Sequence, residues 1–161
     1  QVGGITYGKI VNSIVADNVS LGQGQEIAAE SSPTILNLGF NVLGHSGDTT
    51  SQALFGFTPA ATDTTATSNG DQPTAFGSIL GAPQYTTLHK SFPIVADSPA
   101  ISLADASRCP DTDQLGRDRG VTFFVPIRAA NGNIATVNLG GETCDSGSVL
   151  FVLPASKTAP N

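Results

Sequence analysis

Methionine and tryptophan are absent, and glutamate and lysine occur only three times each. This scarcity of helix formers favours strands and turns over helices. Charge is thin as well: Asp, Glu, Lys and Arg make up 12% of the residues and leave a net charge of −6. No cluster of Lys or Arg occurs anywhere along the chain. That excludes the basic surface that nucleic acid or an anionic membrane would require. Long apolar runs are missing too. The longest, such as residues 121–127, are far too short to cross a bilayer as a helix. The regular alternation of a transmembrane barrel strand is not visible. Two tyrosines and no tryptophan leave little aromatic surface for stacking on sugar rings.

What is present is glycine, proline, serine, threonine, alanine and asparagine in a chain of 161 residues, enough for one domain with its own core. The sequence starts at Gln1 and shows neither a charged leader nor its apolar segment. We therefore expect an exported product whose leader has been removed, although an excised fragment would read the same. Two cysteines, Cys109 and Cys144, are an even count, which favours a disulfide in an exported protein. Two unrelated buried thiols are the alternative. Without companion histidines they make a poor zinc site.

Residues 5–18 read as short strands, with Ile10, Ile14 and Ala16 on one face by period two and Val11 and Val15 on the other. A Gly/Gln loop follows, then a turn at residues 31–33. Beyond it lies a second strand-like run in which Ile35, Leu38, Phe40, Val42 and Leu43 can be buried. Residues 12–18 and 37–44 resemble each other: each starts with Asn and carries aliphatics and a further Asn. Their offset matches one coil of a parallel β-helix, on the order of 20–30 residues. Asparagine suits such coils because its amide can bond up and down a stack and it tolerates the left-handed conformation at corners.

Residues 45–72 read as a long polar loop pinned by Phe55 and Phe57. The stretch 58–71 is either a solvated loop or an O-glycan carrier. Asn18-Val19-Ser20 is the one N-glycosylation sequon, a weak signal. Residues 75–80 and 91–104 read as irregular packed segments bent at prolines. Residues 121–140 predict a β-hairpin turning at Asn131-Gly132-Asn133. Pro126 inside its first strand predicts an edge position or a bulge. A further apolar strand follows Cys144.

At this point the residues resemble a family. NSIVADN and LGFNVLG resemble the last coils of bacterial surface right-handed parallel β-helix proteins. The segment ADSPAISLADASRCPDTDQLGRDRG, with Cys144-Asp145-Ser146-Gly147, resembles their "choice-of-anchor" type C-terminal region. Departures exist. Ser102 replaces a usual Asp, Leu115 and Arg117 alter the neighbourhood of Gln114, and a long insertion separates the cysteines. The resemblance implies location and fold and carries no activity.

The expectation is thus an all-β chain: a short right-handed parallel β-helix with an appended C-terminal hairpin and long loops. It forms one domain over residues 1–161. Within it, 1–44 are coils, 45–90 are loop-rich and 91–161 form a disulfide-stapled cap. Asp113, Gln114, Gly116 and Arg119 read as a structural turn: Asp113 can accept backbone N–H groups, and Gly116 can supply positive φ. The acidic run Asp105, Asp111, Asp113, Asp118 lacks the ligand series of a calcium loop. His45 and His89 sit in no recognisable metal or triad motif, and no nucleophile elbow is present. We expect no enzyme activity, no cofactor and no metal.

The function expected is an extracellular structural or assembly subunit stacking head-to-tail with identical copies. Ile5, Ile10, Ile14, Phe123, Phe124 and Phe151 are the expected interface. A carbohydrate-binding or polysaccharide-degrading surface domain is the alternative, with surface glycans as its partner class.

Overall fold

A computed structural model describes residues 8–29, 35–85, 90–113, 124–128, 134–138, 144, 145 and 147; for 124–128 and 134–138 only the backbone is described. The chain is all-β in class, mostly short strands with two single-turn helices. The strands are β1 (Gly8–Ile10), β2 (Ile14–Val15), β3 (Ile27–Ala28), β4 (Ile35–Asn37) and β5 (Val42–Leu43). Then come helix α1 (Thr50–Ala53), β6 (Leu54–Phe55), β7 (Thr64–Thr65), helix α2 (Phe76–Ile79), β8 (Gln84–Tyr85) and β9 (Lys90–Ser91). A hairpin of β10 (Phe124–Arg128) and β11 (Ile134–Asn138) ends the list.

Three parallel ladders organise the first half. β1 pairs with β4, β2 with β5 and then β7, and β3 with β6. Each ladder joins residues one circuit of the chain apart: Gly8 to Ile35, Ile14 to Val42, Ile27 to Leu54. One apolar cluster gathers side chains from all three ladders. Ile27, Leu43, Ala53 and Leu54 are buried in it, with Ile10, Val15, Ile35 and Phe57 packed against them.

The middle ladder is covered on both faces. Val42 and Leu43 are both fully buried, yet neighbours in a strand point to opposite sides. Leu43 faces the cluster just described, and Val42 faces a second one with Ala66, Ile79, Ile94 and Ala100. The segments around α2 and residues 94–103 therefore cover the outer face of this ladder. Ile14 packs on that outer cluster, whereas Ile10 and Val15 pack on the inner one. The period-two reading that put Ile10 with Ile14 does not hold. Asn12, at φ 50°, bends the chain between β1 and β2 and reverses the phase.

Parallel pairing also runs further than residue 44. β6 and β7 lie within the stretch that reads as a loop. The Thr-rich segment is not solvated there: Asp63, Thr64, Thr65, Ala66 and Thr67 are all buried. Burial leaves Thr64, Thr65 and Thr67 without access for a glycan. Threonine is β-branched and suits a strand, and its hydroxyl needs a partner inside. Thr67 has one in Thr50 Oγ1 at 2.6 Å. Helix α1 starts with a reciprocal capping box between Thr49 and Gln52, which places Ala53 and Leu54 on the inner cluster.

A polar column runs beside the middle ladder. Asn41 Oδ1 accepts the N–H of Ser13 at 3.0 Å, 28 residues away in sequence. Asp63 Oδ1 in turn accepts the N–H and Nδ2 of Asn41, each at 2.9 Å. Asp63 Oδ2 takes Asn37 Nδ2 at 2.6 Å and the N–H of Ala60 at 2.7 Å. Asn41 is fully buried and Asp63 nearly so. The corner before this column needs two consecutive left-handed residues, Gly39 (φ 86°) and Phe40 (φ 60°). A Cβ at Gly39 would run into Thr62 Oγ1.

The hairpin lies where the sequence predicts it, with Phe124 opposite Asn138 and Arg128 opposite Ile134. Pro126 sits opposite Thr136 in a two-stranded sheet. Such a sheet offers only edge positions, where a missing N–H is tolerated.

Asp63→Ala leaves at least two buried donors of Asn41 unanswered. We expect it to lower stability by about 2–3 kcal/mol in urea unfolding followed by circular dichroism. A loss below about 1 kcal/mol, the size of one ordinary hydrogen bond, contradicts the role given to this column.

Candidate functional site

The C-terminal cap does not extend away from the ladders; it folds back onto the first circuit of the chain. Asn12 is the contact point. Its Nδ2 donates to Asp105 O at 3.1 Å, and its Oδ1 accepts the N–H of Asp105 at 2.7 Å. The backbone O of Asn12 accepts the N–H of Gly147 at 2.8 Å. The first two bonds join residues 93 apart, and with the third they tie the first and last thirds of the chain at one corner. The left-handed turn at Asn12 aims its amide at the cap.

Cys109 and Cys144 form a disulfide with a Cα–Cα distance of 6.4 Å. The pairing expected from the even cysteine count is present. Asn12 Nδ2 lies 3.9 Å from Cys109 Sγ. Cys144 also bridges to Ala104, whose N–H donates to Cys144 O at 2.9 Å. The next residue, Asp145, is buried, and its Oδ1 accepts the N–H of Ser102 at 2.9 Å. Ser102 is left-handed at φ 57°. The serine that departs from the resembled pattern thus sits in a turn held by this aspartate.

Residues 98–103 bring Ala100, Ile101 and Leu103 onto the outer apolar cluster. A short 3-10 turn, Ala106–Arg108, follows. Asp105 caps it by accepting the N–H and Oγ of Ser107 at 3.0 and 2.7 Å. The Ser107 side chain chiefly, with Arg108 adding charge, holds the Asp105 carboxyl below the usual carboxylate range. Arg108 pairs with Asp105 at 3.3 Å.

A cavity of about 560 Å3 opens at this junction, lined among others by Asn12, Ile14, Arg108, Cys109, Asp113 and Cys144. Asp113 is buried there. At this site the sulfurs are oxidised, Arg108 is ion-paired, and Asn12 is bonded on both polar atoms. What the arrangement does physically is clamp.

Of the expected site residues, Cys109, Cys144, Asp113 and Ile14 come together here. Ile10 packs inside the ladders instead. Asn18 is exposed, and its Nδ2 donates to Glu26 Oε2 at 2.7 Å. Phe124 is described only as a strand position. Ile5, Gln114, Gly116, Arg119, Phe123 and Phe151 lie outside the described residues. Sequence reasoning did not single out Asn12 or Asp145 as clamps. Their signals were the Asn that opens NSIVADN and the Asp that follows the second cysteine.

Comparison of the chain with protein-family models, with curated proteins and with solved structures finds no match. No helix among the described residues is long and apolar enough to cross a membrane.

Two outcomes test the clamp. Asn12→Ala leaves the N–H of Asp105 unpaired, its carbonyl still accepting from the N–H of Arg108, and should cost about 1–3 kcal/mol. Under limited proteolysis it should also open residues 105–113 to cleavage well before the ladders are cut. Equal protection in variant and parent contradicts the clamp. Second, the Asp105 carboxyl is depressed on folding, so its contribution is present above the ordinary carboxylate range and is lost as pH falls through its lowered value. The Asp105 carboxyl resonance should therefore titrate below the usual range. A midpoint at or above that range contradicts the Ser107 cap.

Proposed function

We propose that this chain is a non-enzymatic, extracellular structural subunit: the end of a right-handed parallel β-helix that stacks head-to-tail with identical copies. The carrying observation is the one-sided pairing of the first circuit. β1, β2 and β3 each have a parallel partner on one side only among the described residues. Leu38 donates to Ile10 O, so Lys9, the neighbour of Ile10, turns its N–H and C=O away from β4. At β2, Ser13 O and Val15 O accept from the N–H groups of Val42 and Gly44, and the backbone of Ile14 turns outward in the same way.

Open parallel edges recruit further strands. At the other end β7 is covered by its own chain, while β4 and β6 each pair on one side only among the described residues. β7 receives Gln72 N–H at Thr65 O and gives the N–H of Thr65 to Asp71 Oδ1. Among the described residues the first circuit is covered at Asn12, whose O accepts the N–H of Gly147, whereas Gly8 and Lys9 are exposed; a heterologous contact made there propagates unless its rotation closes a ring. The contact rests on backbone groups of β1–β3 rather than on the side chains of Ile10 and Ile14, which serve internal packing. An exported setting fits the disulfide.

The test is Lys9→Pro. Lys9 is exposed, and proline is tolerated where a strand N–H faces outward. Wild-type protein should sediment as a series of growing species with rising concentration. Lys9→Pro should keep the parent's circular dichroism and sediment as a monomer. Wild-type chains that stay monomeric, or a variant that assembles like the parent, would overturn the proposal.

A further inference from the structure

We infer a site for a zinc-class divalent cation at the corner where the first two circuits meet, held by Glu26, His45 and Asp48 with Asp17 at its rim. Nothing in the assembly proposal requires it, and its test is separate. Glu26 lies just before β3, and His45 and Asp48 just after β5. One ligand atom from each of these three lies within 4.8 Å of the other two. His45 Nε2 is 3.2 Å from Asp48 Oδ2 and 3.8 Å from Asp17 Oδ1. Ligands about 2.0–2.2 Å from a tetrahedral zinc are about 3.4 Å apart, so these spacings bracket what an ion would impose.

A second observation points the same way. Glu26 Oε2 is occupied by Asn18, from Nδ2 at 2.7 Å and the N–H at 3.3 Å. Glu26 Oε1 is sealed from solvent and has no hydrogen-bond partner. A buried carboxylate oxygen without a donor is costly. The corner gathers the carboxylates of Glu26, Asp48 and Asp17 about the one imidazole of His45, so it has an excess of negative charge. A dication answers both the orphan oxygen and the charge.

The donor set selects the ion. Three carboxylates and one imidazole suit zinc or a similar borderline cation. Calcium and magnesium take oxygen ligands, and an imidazole among them disfavours both. The His45 ring is held by Phe76, edge-on at 6.2 Å between centroids, and by Gly47, whose N–H donates to Nδ1 at 3.0 Å. That bond places the imidazole proton on Nε2. Metal binding at Nε2 therefore moves the proton to Nδ1 and releases the N–H of Gly47, which is exposed and can turn to water.

The experiment is calorimetric titration of zinc into the full chain after chelator treatment, with thermal unfolding in parallel. Saturable binding of one ion per chain is expected, with a rise in melting temperature that calcium and magnesium do not reproduce. Glu26→Gln and His45→Gln should each weaken zinc by about tenfold or more. If Glu26→Gln fails to fold, His45→Gln, which keeps a polar side chain at a partly exposed site, carries the test. In the parent, the His45 nitrogen resonances should exchange tautomer on zinc addition. No saturable zinc binding, equal binding of calcium, unchanged affinity in His45→Gln, or an unmoved His45 tautomer would each overturn the site.

Discussion

The hydrogen bonds that Asp63 accepts from Asn41 are the constraint on which the ladders depend. Strands of two or three residues supply few bonds each, and stacked short strands can slip against one another. Asp63 and Asn41 fix that register. One carboxylate accepts from Asn41, Asn37 and Ala60, and Asn41 passes the connection to Ser13 in the first circuit. A slip by one residue would strand an ionised group in a buried position, a cost of several kcal/mol in an interior of low polarity. With the register fixed, Leu43 meets the inner cluster and Val42 the outer one.

The rest of the molecule follows from covering what the ladders leave exposed. The outer face of the middle ladder is apolar, so α2 and residues 94–103 cover it. That path carries the chain back toward the first circuit, where Asn12 receives Asp105 and Gly147. The disulfide then closes a loop with a sequence separation of 35. In the chain-entropy account a bond of this span stabilises by about 3–4 kcal/mol. It adds to the support that the described residues give the cap: Asn12, the bridge at Ala104, the bond from Ser102 to Asp145 and apolar contacts.

Much of this was legible in the sequence, and the exceptions have physical causes. The strand-rich class follows from composition, the hairpin from the Asn-Gly turn between apolar runs, and the disulfide from the cysteine count. The similarity of residues 12–18 to 37–44 points to stacked circuits, which the pairing of Ile14 with Val42 realises. Alternation failed at Asn12 because a left-handed residue resets which face the chain shows, and no hydrophobic count records that. Residues 63–67 read as solvated because threonine and aspartate are polar by composition. They are buried because the column and Thr50 satisfy their polar atoms. His45 was set aside for want of a motif. Its carboxylate neighbours Asp17 and Glu26 come from the previous circuit, a proximity that only the stacking creates.

The central claim is that parallel strand stacking continues from one molecule to the next. Fibre diffraction from oriented, concentrated protein addresses it most directly. Strands stacked across subunit junctions place a reflection near about 4.8 Å along the filament axis, and the account predicts that reflection on the axis. Filaments with the spacing directed across the axis, or no filaments at any concentration, would contradict it.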